Sequence, residues 1–137
     1  MATIIRSIAL KNFYNYYGDF GQNCYEFTEG LNIINADNNL GKSKFYNGVL
    51  WILKDEVYDS DSNLSLPAGE SLLKMASDKA KAEKDIFETA VRIVVLQDSK
   101  EYTIIKSVTY RKNKEVWEYG KVEMTVSETE GDRTKPI

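Results

Sequence analysis

The stretch Asn35-Ala36-Asp37-Asn38-Asn39-Leu40-Gly41-Lys42-Ser43 decides how the rest of this sequence is read. Just before it, Leu31-Asn32-Ile33-Ile34 is short and apolar, the pattern of a buried strand. Just after it, Phe45, Val49, Ile52 and Leu53 recur at helical spacing and predict an amphipathic helix from Lys42 to about Lys54. Strand, loop and helix in that order are the context of a phosphate-binding loop. In such a loop, backbone N–H groups wrap the phosphates and the helix N-terminus adds the positive end of its dipole. Asn38, Asn39, Leu40 and Gly41 would form the cradle here, Lys42 would reach the β/γ oxygens, and the Ser43 hydroxyl would hold Mg²⁺. Ala36 stands where the full pattern G-x-x-x-x-G-K-[ST] has its first glycine. The plainer alternative makes Gly41 a turn and Ser43 an ordinary helix cap.

Working outward, Thr3–Phe13 carries Ile4, Ile8 and Leu10 at period two, which predicts an early half-buried strand. Asn23–Phe27, closed by Glu29-Gly30, predicts a second strand and a turn. From Asp55 to Gly69 the chain is acidic and rich in Ser and Asn, which favours a surface loop. Strong helix formers over Glu70–Lys84 predict a second helix with a solvated charged face. Phe87–Leu96, Tyr102–Arg111, Val116–Tyr119 and Lys121–Ser127 are β-prone and read as an antiparallel meander, with hairpin turns at Gln97–Lys100 and Lys112–Lys114. The tail from Glu128 is polar, aperiodic and without an evident element. The expected fold class is therefore mixed α/β, central strands with a P-loop helix plus an antiparallel β-meander.

At 137 residues the chain fits one domain, and a composition 42% hydrophobic and 28% charged is that of an ordinary globular protein. No apolar run is long enough to cross a bilayer, and the start lacks the pattern of a secretory signal, so the expected location is the cytoplasm. One cysteine, Cys24, excludes an internal disulfide framework. The lack of histidine excludes Ser-His-Asp and Cys-His catalysis and histidine metal sites. A net charge of −3 argues against general polyanion binding but leaves room for a local site.

Taken together, Ile8-Ala9-Leu10-Lys11-Asn12-Phe13, Leu31–Ile34, Asn38–Ser43, Leu50-Trp51-Ile52-Leu53 and the Glu101–Lys106 strand resemble the N-terminal segment of SMC-like ABC-type repair ATPases. Within them the chain is most similar to the restriction ATPases of DNA phosphorothioation systems and related anti-phage ATPases. Their loop usually reads Gly-x-Asn-Gly-x-Gly-Lys-Ser/Thr: Asn38, Gly41, Lys42 and Ser43 match, while Ala36 and Asn39 depart. The resemblance implies residues 1–137 as the N-terminal lobe of an ATPase head, binding ATP and Mg²⁺. It also implies a second head sandwiching the nucleotide in a homodimer, and DNA and other defence or repair proteins as partners. The signature motif and Walker B carboxylates of such heads are missing from this sequence, so no catalytic residue is assigned and the chain alone is expected to hydrolyse ATP poorly. Where members of the family often carry a basic residue after Asn-Phe, this chain has Tyr14. With Tyr16 and Tyr17 it could stack on adenine or a base, or simply serve the core.

Two other readings compete. One is a non-catalytic DNA- or protein-interaction module with a degenerate P-loop, acting through Lys106, Arg111, Lys112 and Lys114. The other, a small P-loop kinase, would need a lid arginine set for which the sequence offers no candidate.

Overall fold

A computed structural model describes residues 3–14, 16–27, 47–59, 64–67, 72–130 and 133–136. Strand β1 (Thr3–Lys11) pairs with β2 (Cys24–Glu26) on one side and with β5 (Ile86–Gln97) on the other. β5 pairs along its whole length with β6 (Lys100–Asn113), and every one of these pairings is antiparallel. The far edge of β6 is shared between two partners. Residues 110–113 pair with β7 (Val116–Tyr119), and residues 101–107 pair with β8 (Glu123–Glu130). β9 (Arg133–Pro136) closes that edge against β8, giving the order β2-β1-β5-β6-β8-β9. A separate hairpin joins β3 (Glu56–Asp59) to β4 (Leu64–Pro67).

Three α-helices are described, α1 over residues 47–54, α2 (Leu72–Met75) and α3 (Asp78–Glu83), besides one turn of 3-10 helix at Phe20–Gln22. Alternation along the strands sets which face they cover. Leu10, Val91 and Lys106 lie in one cross-strand row, and Ile8, Ile93 and Ile104 lie in the next. On that same face, Phe87 and Tyr110 stack with ring centroids 5.4 Å apart. Fully buried Trp51 from α1 lies parallel to Phe13 at 6.0 Å, and fully buried Met75 comes from α2. Each such side chain contributes about 1.5–3 kcal/mol by leaving water, so this single cluster is the main apolar source of stability.

The expectation of a mixed α/β unit organised around central strands and a P-loop helix is corrected. The described residues are dominated by one antiparallel sheet, with short helices on one face. The four β-prone runs from residue 87 onward do form antiparallel strands, and they account for most of the sheet. Residues 28–46, which hold the predicted strand Leu31–Ile34 and the whole candidate loop, lie outside the described residues.

Smaller corrections have local causes. A bulge between Ile5 and Ser7 resets the alternation of β1, so Ile5 stands opposite Val95, on the register of Ile8, and Ile4 does not. The predicted loop 55–69 contains the β3–β4 hairpin, anchored by Val57, which is buried although Asp55, Glu56 and Asp59 around it are acidic. The predicted helix 70–84 is broken after Met75. Phe13 forms a bridge to Ala76, the Ser77 N–H donates to the Asn12 carbonyl at 3.0 Å, and the Ser77 hydroxyl then caps α3 by accepting from Ala80 N–H at 3.3 Å. Tertiary hydrogen bonds override helix propensity there. The tail forms β9: Glu130 faces Arg133 across the two residues Gly131-Asp132, a dipeptide suited to two-residue hairpins.

Candidate functional site

All six predicted binding residues, Asn38, Asn39, Leu40, Gly41, Lys42 and Ser43, lie outside the described residues. What the structure does describe is the helix that follows them. Asn47, first residue of the described α1, is four positions after Ser43, and the helix ends at Lys54 as the periodicity predicts. Three devices hold it.

At the near end, buried Asn47 uses both ends of its amide on one backbone residue. Its Oδ1 accepts from Tyr58 N–H at 2.7 Å and its Nδ2 donates to the Tyr58 carbonyl at 3.2 Å, fastening β3 to the helix. At the next residue, Gly48 lets the helix lie directly on the sheet: a Cβ at this position would stand 2.8 Å from Leu10 Cδ2, 3.5 Å from Phe13 and 3.6 Å from Val91. At the far end, Lys106 of β6 is buried, and its ammonium donates to the Trp51 carbonyl at 3.0 Å and to Asp55 Oδ1 at 2.7 Å. The same ammonium lies 5.4 Å from the Trp51 ring centroid. Asp55 takes a left-handed conformation, φ 57°, and its N–H also donates to the Trp51 carbonyl at 3.0 Å. A cation at a helix C-terminus complements the dipole and the carbonyls left without intrahelical donors.

Beside α1, the Lys11-Asn12-Phe13 turn is organised by Asn12, left-handed at φ 46°. The Asn12 side chain accepts from Gly18 N–H at 3.0 Å and donates to the Glu88 carbonyl at 3.1 Å. Its backbone carbonyl accepts from the Thr89 hydroxyl at 2.8 Å as well as from Ser77. Asparagine tolerates this conformation better than most residues and supplies both polar ends. Phe13 follows it into the core.

The tyrosines serve packing more than presentation. Tyr14 meets Phe13 edge-on at 4.8 Å, and its N–H donates to the Met75 carbonyl at 2.7 Å. Tyr16 is buried edge-on against Tyr25, and burial, reinforced by Tyr25, raises its pKa well above the usual phenol value. The Tyr17 hydroxyl donates to the Glu83 carboxylate, and the Lys79 ammonium lies 4.7 Å over its ring.

The basic set proposed for DNA contact is not one surface. Lys106 is committed to α1, and Lys112 pairs with Glu115 at 3.6 Å. Arg111 and Lys114 are exposed, but Arg111 stands opposite Glu118 across the β6–β7 ladder. No group of three or more His, Cys, Asp or Glu residues that could hold a metal ion occurs among the described residues. Among them, too, no helix is long and apolar enough to cross a membrane.

No protein-family model matches this chain, and no curated protein matches it.

Sequence reasoning passed over Asn12, Asn47 and Gly48 and misassigned Lys106. A signal existed for two of them. Gly48 is a glycine inside a strong helical pattern, where it costs about 1 kcal/mol against alanine unless something must approach closely. Lys106 lies on the apolar face of an alternating strand, opposite Val91 and next in register to Ile104 and Val108.

Proposed function

We propose that this chain binds the phosphates of ATP through Asn38–Ser43, with Lys42 on the β/γ oxygens and Ser43 on Mg²⁺, as the ATP-binding part of a DNA-processing or DNA-defence ATPase. The observation that carries the reading is the mounting of α1, which follows Ser43 by four residues. Directional bonds hold its two described ends, at Asn47 and Lys106, and close glycine packing holds the turn between. This mounting fixes where the chain emerges from the candidate segment, at Asn47, and the phosphate assignment itself rests on the residue types of Gly41, Lys42 and Ser43. The resemblance of the sequence to SMC-like repair and anti-phage ATPases supports ATP as the nucleotide. It also supports a second copy of the chain as the partner that completes the site, DNA and other defence or repair proteins as further partners, and the cytoplasm as the location.

Titration of a fluorescent ATP analogue in the presence and absence of Mg²⁺ tests the assignment of Ser43. Wild-type protein should bind more tightly with Mg²⁺, and Ser43→Ala should lose that difference. Equal Mg²⁺ dependence in the two proteins would contradict it. The interaction-module alternative has no specific geometric support once Lys106 is removed from its basic set.

A further inference from the structure

We propose that Arg92 is the centre of a binding site for a phosphate or carboxylate group on the face of the sheet opposite α1, a site that stands apart from the ATP-binding reading. Val91, its neighbour along β5, lies under Gly48 on the helix side, so alternation turns Arg92 the other way. On that face its side chain finds little to bond. In its cross-strand row stand Ala9 on β1, Cys24 beyond it on β2, and Ile105 on β6. A guanidinium carries five N–H donors. Among the described residues this one has a single acceptor, the weakly accepting Cys24 Sγ at 3.9 Å from Nη2. The Phe20 ring backs it, with its centroid 4.7 Å from Cζ. Its Nε is shut off from solvent and meets no acceptor.

The charge is as isolated as the donors. Lys11 pairs with Glu88, Lys100 with Glu128 and Lys112 with Glu115, while Arg6 and Arg111 are exposed to water. Arg92 is half-buried, and no carboxylate among the described residues pairs with it. Diagonal cross-strand positions lie within reach of a long side chain. Here they hold Ser7 and Lys11 on β1 and Thr103 and Ser107 on β6, three hydroxyls and an ammonium with no acid among them. Stability does not account for this arrangement. A half-buried cation without an anion gives up hydration and receives no partner in exchange, and an apolar side chain at 92 would continue the row from Ala9 to Ile105. A guanidinium suits a group whose two oxygens lie side by side, because its N–H fork meets both at once. Cation–π attraction to Phe20 holds the guanidinium in place without occupying any of those N–H groups. The surrounding hydroxyls are donors for the remaining oxygens of such a group.

The test adds sodium phosphate, sodium acetate and sodium chloride in steps of matched ionic strength to the isotope-labelled protein, and follows the Arg92 Nε–Hε signal and the backbone amides of Ala9 and Cys24 by NMR. Phosphate or acetate should shift these signals along a saturating curve at millimolar concentration, and chloride should not; the tighter of the two identifies which group supplies the oxygens. Arg92→Lys keeps the charge and loses the fork, so the tighter anion, read on the two amides, should bind about tenfold more weakly. Attraction to positive charge alone would leave that affinity unchanged. Phe20→Leu keeps Arg92 and removes the ring behind it, and should weaken binding about threefold. Circular dichroism establishes that each variant is folded, and should Arg92→Lys fail to fold, Phe20→Leu takes its place. Saturation by neither anion in wild type, an equal response to chloride, or a folded variant that binds like wild type would overturn the proposal.

Discussion

Replacing Gly48 by alanine sets two effects of known size against each other. Alanine is favoured over glycine inside a helix by about 1 kcal/mol, and φ at this position is not left-handed, so the backbone raises no objection. Against that, the new Cβ would stand 2.8 Å from Leu10 Cδ2, closer than carbon atoms can approach. A terminal methyl on an exposed leucine could swing away. Leu10 is fully buried, however, and fully buried Val91 and Phe13 lie at 3.6 and 3.5 Å from the same point. Overpacking of this kind typically costs 1–3 kcal/mol, so the net effect of Gly48→Ala should be a loss of about 1 kcal/mol. Gly48→Val, which adds two more methyl groups and gives up the propensity gain, should lose about 3 kcal/mol or more. Urea denaturation followed by circular dichroism measures both. Combining Gly48→Ala with Leu10→Ala, which removes the clashing atom, should show a favourable coupling of about 1 kcal/mol. Gly48→Ala more stable than wild type would refute the argument that α1 lies in direct contact with the sheet at this turn.

The other expectations follow from single sites. At the β6–β7 hairpin, Lys114 and Glu115 both take positive φ, 48° and 69°, as a two-residue turn of the mirror-image kind demands. Replacing them with Asn-Gly should raise stability by about 1–2 kcal/mol in thermal melts, and no gain would mean the turn is not of this type. Asn12→Ala loses two side-chain hydrogen bonds and strains a left-handed residue, for a total of about 2–4 kcal/mol. Asn12→Gly relieves the strain but not the bonds, so it should be less harmful by about 1 kcal/mol; the reverse order would contradict the geometry. Tyr110, whose hydroxyl donates to the Leu72 carbonyl, has its pKa raised by burial, with the nearby Tyr14 and Tyr119 adding to the shift. Its proton is held more tightly folded than unfolded. Stability from this group is therefore complete below the unfolded phenol value near 10 and falls as pH rises above it, by up to about 1.4 kcal/mol per pH unit. Urea midpoints measured from pH 9 upward should fall, and Tyr110→Phe should lessen the fall; an identical slope in the two proteins would exclude Tyr110 as its source.

Much of the sheet was legible because its strands carry their own local signals. Phe87–Leu96 and Tyr102–Arg111 alternate and are rich in β-branched and aromatic residues, and the intervening Gln97–Lys100 is a tight turn in the structure as in the sequence. The α1 end at Lys54 was legible for the same reason, in periodicity alone. What escaped depends on partners distant in sequence. The break at Ala76 comes from Phe13, and the burial of Lys106 comes from a helix 55 residues earlier at Trp51. β9 needs β8 beside it before its polar residues look like a strand. The α/β expectation fails for a different reason: the strand–loop–helix pattern is local to residues 31–54, whereas the sheet is built from the long antiparallel pairings of residues 86–130. The candidate loop rests on the residue types Gly41, Lys42 and Ser43, which lie outside the described residues.

Calorimetric titration of MgATP into wild-type protein and into Lys42→Ala tests the central claim most directly. Lys42 would contribute the ammonium on the β/γ oxygens, and circular dichroism spectra and urea midpoints establish that both proteins are folded before titration. The account predicts saturable binding by wild type that Lys42→Ala weakens at least tenfold. No heat from wild type at millimolar MgATP, or equal affinity in the two proteins, would contradict it.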